Sequence, residues 1–299
     1  MNCDINISVI VPVHNNNKGL DRCLLALSRQ TINSSEFEVI IVDNDSADDP
    51  VNITKKYDVK LLREYQYLNS PYSARNRGFE IAKGDILIML DTTCAPCPTW
   101  LEEGVKCINS GADLVGGNVV FDVSDKSSLG ELYDSITNIR MKDSVINRNV
   151  AKTTNLFVKR DVIDSIGNFP EGLRSGGDVS WTKNATSSGY SLVYSDLTKV
   201  SMTPRPLIPL IYKQFRVSKG QVDIWINHGG FFKSFSTKAL LCFIPPNPYK
   251  LRQLSIEANN DFALKRLAGL FWVGYLLRIV TGLGVFFGVF GMLYKKIKG

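Results

Sequence analysis

Two aspartates stand out by position. Asp43 closes the apolar run Phe37–Val42 (FEVIIV), and Asp91 closes Asp85–Leu90 (DILIML). Continuous runs of this kind are expected of strands covered on both faces. In open α/β sheets, ligands bind beyond the carboxyl ends of the strands. A carboxylate there is a poor holder of a bare phosphate but suits a nucleobase, a ribose or a metal ion. The stretch after the first apolar run is His14-Asn15-Asn16-Asn17-Lys18-Gly19, with a single glycine. A dinucleotide cradle needs GxGxxG there and a P-loop needs GxxxxGK[ST]. Neither occurs, which argues against a dehydrogenase or an NTPase. Cys94-Ala-Pro-Cys97 is one CxxC without a second pair, short of the four ligands of a structural zinc. His14 lines the first loop, and His228, in Asn227-His228-Gly229-Gly230, reads as a turn residue.

The elements that must position these residues alternate. Ile7–Val13, Phe37–Val42, Val59–Arg63 and Asp85–Leu90 read as strands. Between them, Leu20, Leu24 and Leu27 recur at helical spacing within Gly19–Gln30. Ser70-Pro71 reads as an N-cap followed by proline in the first turn, opening a helix that runs to about Lys83. This order implies an α/β fold with a mostly parallel central sheet and helices on both faces. After residue 114 the pattern loosens, with strands expected at Leu114–Phe121, Thr153–Val158 and Ser191–Tyr194. Pro204, Pro206 and Pro209 mark a boundary, giving an α/β domain over 1–205 and a helical region over 206–299.

Composition narrows the class. With 299 residues, 44% hydrophobic and 21% charged, the chain is neither disordered, collagen-like nor a polytopic membrane protein. Its six cysteines show no framework spacing, which fits a reducing cytosol. The start, MNCDINISVI, lacks a basic n-region and reads as a first strand, not a signal peptide. The net charge of +6 is unevenly spread. Residues 1–205 carry 22 Lys and Arg against 26 Asp and Glu, whereas 206–299 carry 13 against 3. A basic, aromatic-rich tail on an acidic body suggests an anionic partner.

Five motifs in series carry a resemblance. SVIVPVHN (Ser8–Asn15), FEVIIVDNDSADD (Phe37–Asp49), SARNRGFEIAKGDILIMLD (Ser73–Asp91), NLFVKRDVIDSIGNFPEGL (Asn155–Leu173) and GGDVSW (Gly176–Trp181) resemble the family 2 glycosyltransferases of GT-A fold, in order and spacing. The likeness covers about residues 7–205. It implies transfer of a sugar from a nucleotide-diphosphate sugar to a saccharide or lipid-linked acceptor, with inversion, in polysaccharide or cell-envelope synthesis. It also implies roles. Pro12, Val13 and His14 would pack on the base, and Asp43 and Asn44 would hold base and ribose. Arg75 would lie near the nucleotide and its diphosphate. Asp91, Thr92 and Thr93 occupy the Asp-x-Asp site, where Asp91, with Thr93 as a second contact, would meet Mg²⁺ or Mn²⁺. Asp178 would be the catalytic base.

These roles are chemically coherent. A divalent cation bridging diphosphate oxygens helps the leaving group depart. A carboxylate near the acceptor hydroxyl can take its proton during attack. The chain departs from the pattern in three places. Thr93 replaces the second aspartate, Gly177 replaces a common glutamate, and Val200-Ser201-Met202-Thr203-Pro204-Arg205 lacks a metal-binding histidine. Cations such as Arg75 and Arg205 could then stand in for a metal, or the chain could be a non-catalytic scaffold for a partner transferase. Simpler readings stand beside each role: a helix cap for Asp43 and Asp178, a turn for Asp91, a surface charge for Arg75. Trp100 and Trp181 could stack on a sugar or pack in the core.

Leu267–Tyr294 spans 28 residues with one charge, Arg278. The length would cross a bilayer, but a central arginine is costly in lipid. The favoured expectation is two short helices, about 262–280 and 283–296, lying in the cytoplasmic leaflet with Lys and Arg at the headgroups. Gly284 and Gly288 form a GxxxG helix-packing pattern. A second copy of the chain or a partner transferase is the other occupant considered for this surface. Nucleic acid is not expected, because the basic residues form no continuous stripe.

Overall fold

The structure, a computed structural model, describes residues 6–227, 242–258 and 263–298. His228 lies outside them. The chain divides into two compact units, one of residues 1–121 and 139–203, the other of residues 122–138 and 204–299. The second unit takes in residues 122–138, which a single cut at 205 leaves with the first.

The first unit is built on an eight-stranded sheet. Its strands are β1 (Ile7–Val13), β2 (Phe37–Asp43), β3 (Lys60–Arg63), β4 (Ile86–Leu90), β5 (Cys94–Pro96), β6 (Leu114–Phe121), β7 (Asn155–Lys159) and β8 (Leu192–Met202). The spatial order is β3-β2-β1-β4-β7-β6-β8-β5. The β3, β2, β1 and β4 strands are parallel, as the β-α alternation requires. β7 runs antiparallel to both β4 and β6, while β6 and β8 are parallel. β8 is much longer than the expected Ser191–Tyr194, because past a register shift it pairs with the rest of β6 and, over Val200–Met202, with β5, a three-residue strand that carries no alternation of its own.

Helices α1 (Asn17–Leu27), α2 (Val51–Thr54), α3 (Pro71–Phe79), α4 (Trp100–Asn109), α6 (Met141–Arg148), α7 (Arg160–Ile166) and α8 (Gly177–Ser187) belong to this unit. Leu20, Cys23, Leu24 and Leu27 of α1 share one core with Val9, Val11, Ile41 and Ile88. Ile10, Ile40, Leu87 and Met89 face a second core with Phe79, Phe169 and Trp181. Alternate residues of one strand thus feed opposite layers, the period-two geometry of a sheet covered on both sides. Trp100 and Trp181 are core residues. Their indole nitrogens donate to Asn155 Oδ1 and to the Gly167 carbonyl, which removes them as sugar platforms.

The second unit holds α5 (Leu129–Thr137), α9 (Leu207–Asn227), α10 (Pro248–Glu257) and α11 (Leu264–Lys298). The apolar tail is therefore one continuous helix, not two. Its glycines are sites of close approach and not breaks. A Cβ on Gly284 would lie 2.1 Å from Ser218 Oγ and 2.7 Å from the Phe215 carbonyl oxygen, and one on Gly288 2.7 Å from the Lys219 carbonyl oxygen. The GxxxG spacing thus seats α11 on α9. Arg278 is also accommodated, donating from Nη1 to the Ile244 and Pro245 carbonyls.

Candidate active site

β1 lies between β2 and β4, so the loops after the three strands leave the same sheet edge. The first loop ties the other two together. His14 Nδ1 donates to the Asn44 carbonyl at 2.7 Å, and Asn15 Nδ2 donates to His14 Nε2 at 3.0 Å. These bonds hold the imidazole between the first loop and the turn after β2. Asn15 also accepts from the Ala47 N–H, and Asn16 donates to Thr92 Oγ1 at 3.1 Å. Pro12 and Val13 end β1, with Val13 paired to Asp43.

Asp43 is buried. Its Oδ1 accepts from the Ser46 N–H at 3.0 Å, and Arg63 Nε lies 3.6 Å from Oδ2. It closes the turn after β2 and does not cap α2. Asn44 Oδ1 accepts from the Asn69 N–H, which joins this turn to the segment leading into α3.

Helix α3 forms as its sequence predicts. Ser70 Oγ accepts from the Ser73 N–H, and Pro71 stands in the first turn. Almost every residue of the helix is buried, although few are apolar. Asn76 anchors it, donating to the Phe169 carbonyl and accepting from the Phe169 N–H. Arg75 is 2% exposed and its Nη2 donates to Asp91 Oδ1 at 2.5 Å. That removes the surface-charge reading. The guanidinium is committed to Asp91 and to the Pro71 carbonyl.

Asp91 is one-third exposed, and its Oδ2 accepts from Thr154 Oγ1 at 3.0 Å. Asp178 sits in the first turn of α8, after an N-cap at Gly176, so it is not itself the cap. Its Oδ1 accepts from the Tyr72 hydroxyl at 3.0 Å, and its Oδ2 faces the Thr153 N–H at 3.4 Å. The two carboxylates are thus gripped by the same two segments. Tyr72 and Arg75, one turn apart on α3, take one oxygen of each. Thr153 and Thr154, adjacent in the chain, take the other.

Sequence reasoning missed Tyr72, Thr153 and Thr154. Tyr72 could have been found from its i,i+3 spacing to Arg75 on a helix whose start was legible. Thr154 directly precedes Asn155, which pairs with Leu90 and so comes beside Asp91, but only the antiparallel register reveals that. Lys152 was also missed. Burial pushes its ammonium below the usual lysine range, while the nearby Asp178 carboxylate opposes that shift.

Arg205 pairs with the buried Asp134 of its own unit, through Nη1 at 3.5 Å and its backbone N–H at 2.9 Å. Cys94 is buried, and burial and the Asp91 carboxylate raise its thiol well above the usual range, so it is inert. Among the described residues there is no group of three or more His, Cys, Asp or Glu able to cage a metal. Thr93 Oγ1 is shut off from solvent.

Residues 8–165 match the family model for glycosyl transferase family 2, more than half of the chain. The chain belongs to glycosyl transferase family 2. It is a glycosyltransferase of GT-A fold. The glycosyltransferase AglE of Haloferax volcanii is 43% identical over 256 residues, covering 83% of this chain and 84% of AglE. Two solved structures share the fold at low identity. The mannosyltransferase PcManGT of Pyrobaculum calidifontis, in complex with GDP-Man and Mn²⁺, has a TM-score of 0.56 at 15% identity over 98% of this chain and 76% of its own. TarS residues 1–349 of Staphylococcus aureus, in complex with UDP-GlcNAc, has a TM-score of 0.56 at 17% identity over 97% and 92%.

Proposed function

We propose that this glycosyltransferase moves a sugar from a nucleotide-diphosphate donor to a saccharide or lipid-linked acceptor, inverting the anomeric centre, at the cytoplasmic face of a membrane. The observation that carries the chemistry is the shared grip on Asp91 and Asp178, which holds a leaving-group carboxylate and a base carboxylate in one frame. Pro12, Val13, His14, Asp43 and Asn44 would line the base and ribose, and Asp91 with Thr92 and Thr93 the diphosphate.

The donor set fits a divalent cation carried mainly by the diphosphate and water. Asp91 keeps a one-third exposed carboxylate with one hydrogen bond on each oxygen, so lone pairs remain for a cation. Mg²⁺ and Mn²⁺ are commonly bound through one or two carboxylates plus substrate phosphates. Such an ion would neutralise charge on the departing diphosphate. Asp91 would anchor it, and Arg75 would hold Asp91 in position from behind. Asp178 would accept the acceptor's hydroxyl proton as the oxygen attacks the anomeric carbon.

Membrane association is supported by α11. Leu264–Met292 is long and apolar enough to cross a bilayer, with a mean hydropathy of 1.8. One face packs inside its own unit through Leu270, Val273, Leu277 and Val285. The other exposes Ala268, Trp272, Leu276, Ile279, Leu283 and Phe286 at helical spacing, and continues through Phe287 and Phe290. At 1.5 Å per residue that is an uncharged stripe about 33 Å long. A helix with one free apolar face, in a region of 13 cations against 3 anions, suits an in-plane position at an anionic leaflet.

The decisive experiment is Asp178→Asn. Transfer should fall by roughly 10²–10⁴-fold, the usual worth of a positioned general base, with donor binding retained in a thermal-shift assay. Wild-type turnover would remove Asp178 from the base role. A panel of UDP-, GDP-, CMP- and dTDP-sugars, with and without Mn²⁺, identifies the donor in the same assay.

A further inference from the structure

Gly177 stands where the family pattern often has glutamate, and no positive φ explains it. Its backbone is one that any residue adopts, so the requirement is space. A Cβ there would lie 2.9, 3.0 and 3.1 Å from Cδ2, Cε2 and Cγ of Tyr72. These contacts fall on the ring itself and not on the end of a flexible chain, so a methyl group there must displace the ring. Tyr72 is buried, with Phe169 5.7 Å away centroid to centroid and the Arg75 guanidinium 6.0 Å from the ring centre. Trp181 backs Phe169 at 5.0 Å. Gly177 is therefore a notch that admits the Tyr72 ring beside its neighbour in the chain, Asp178.

We infer that Tyr72 is a positioning residue for Asp178, and that Gly177 is the device that lets it reach. The inference rests on the reading of Asp178 as the base. Burial first, and the Asp178 carboxylate second, hold the phenol protonated, so Tyr72 donates and takes no part in proton transfer. Its hydrogen, together with the Val179 N–H at 2.9 Å, occupies Oδ1 of Asp178. Among the described residues Oδ2 meets the Thr153 N–H, at a long 3.4 Å, so it is the oxygen left to receive the acceptor's proton. The same helix turn presents Arg75 to Asp91. One buried helix therefore sets the separation of the two carboxylates that the displacement needs, and a base misplaced by about 1 Å can lose on the order of 10²-fold.

The test is a double-mutant cycle on the full chain, reading kcat, donor KM and melting temperature. Tyr72→Phe keeps the ring and deletes the hydroxyl. Expected is a loss of about 10- to 100-fold in kcat, the worth of a hydrogen bond to a charged group, with donor KM unchanged within about twofold. In an Asp178→Asn background the same change should cost nothing further, because the group it positions is gone. Gly177→Ala, which pushes the ring aside, should reproduce the kcat loss and should add little to Tyr72→Phe. Wild-type kcat in both Tyr72→Phe and Gly177→Ala would overturn the inference. So would losses that multiply in full on top of Asp178→Asn. Retained turnover in Asp178→Asn alone would instead sink the base assignment, a separate result.

Discussion

Replacing Arg75 by methionine isolates the contact on which Asp91 depends. The Arg75 side chain is 2% exposed and its partner 33% exposed, with a donor–acceptor distance of 2.5 Å. Methionine fills much of the arginine stem, so little cavity is added. What is lost is the charge opposite Asp91. Removing one partner of a buried pair costs about 3–5 kcal/mol. Asp91 can draw water through its exposed third, which puts the loss at the low end, about 3 kcal/mol. For a unit of this size, each kcal/mol lowers the melting temperature by about 2–4 °C, so a drop of roughly 6–12 °C is expected. The assay is urea unfolding of wild type, Arg75→Met, Asp91→Asn and the double variant. Asp91→Asn alone strands a buried guanidinium, and the double variant should recover part of the loss. A coupling of at least about 1 kcal/mol is expected. If the two single losses simply added within about 0.5 kcal/mol, the pair would be an accident of proximity and Arg75 would not support Asp91.

Four further outcomes follow from other contacts. Burial alone would raise the Glu38 carboxyl, but the Lys60 ammonium at 2.6 Å, the Ser8 hydroxyl and the Lys83 N–H outweigh it and hold it below its ordinary 4.5. Its contribution is complete above 4.5 and is lost as pH falls through the lowered value; urea midpoints from pH 7 to 3 should fall more in wild type than in Glu38→Gln. Gly284→Leu should destabilise the second unit by about 1–3 kcal/mol, because the new side chain meets the α9 backbone at Phe215, and calorimetry reads it. Chelation should weaken donor binding while leaving the apo melting temperature unchanged, and Mn²⁺ titrated back in a thermal-shift assay should restore it; no effect of EDTA would show that Asp91 needs no ion. Anionic vesicles should bind the chain in flotation and neutral ones should not, with binding reduced at high salt and by Trp272→Glu with Phe286→Glu.

The strands were legible because burial on two faces leaves an unmistakable composition. Ile7–Val13 and Leu114–Phe121 appear with the bounds expected, and Ser70-Pro71 opens α3 as read. The acidic strand ends Asp43 and Asp91 were visible for the same reason: each interrupts an apolar run at the edge where ligands bind. The tail was misread because glycine weakens a helix in isolation. Here Gly284 and Gly288 are covered by α9, and the close approach they permit outweighs their cost.

What the chain of letters settled by itself was local: which segments are strands, where α3 begins, and that carboxylates stand at strand ends. Those facts depend on side-chain periodicity and backbone preference over a few residues. Which groups face one another depended on register and packing across long separations. Thr154 meets Asp91 because β7 runs antiparallel to β4, and Tyr72 meets Asp178 across 106 residues because Gly177 lacks a Cβ. No neighbouring residue encodes either contact, since both arise only when distant segments compete for the same volume.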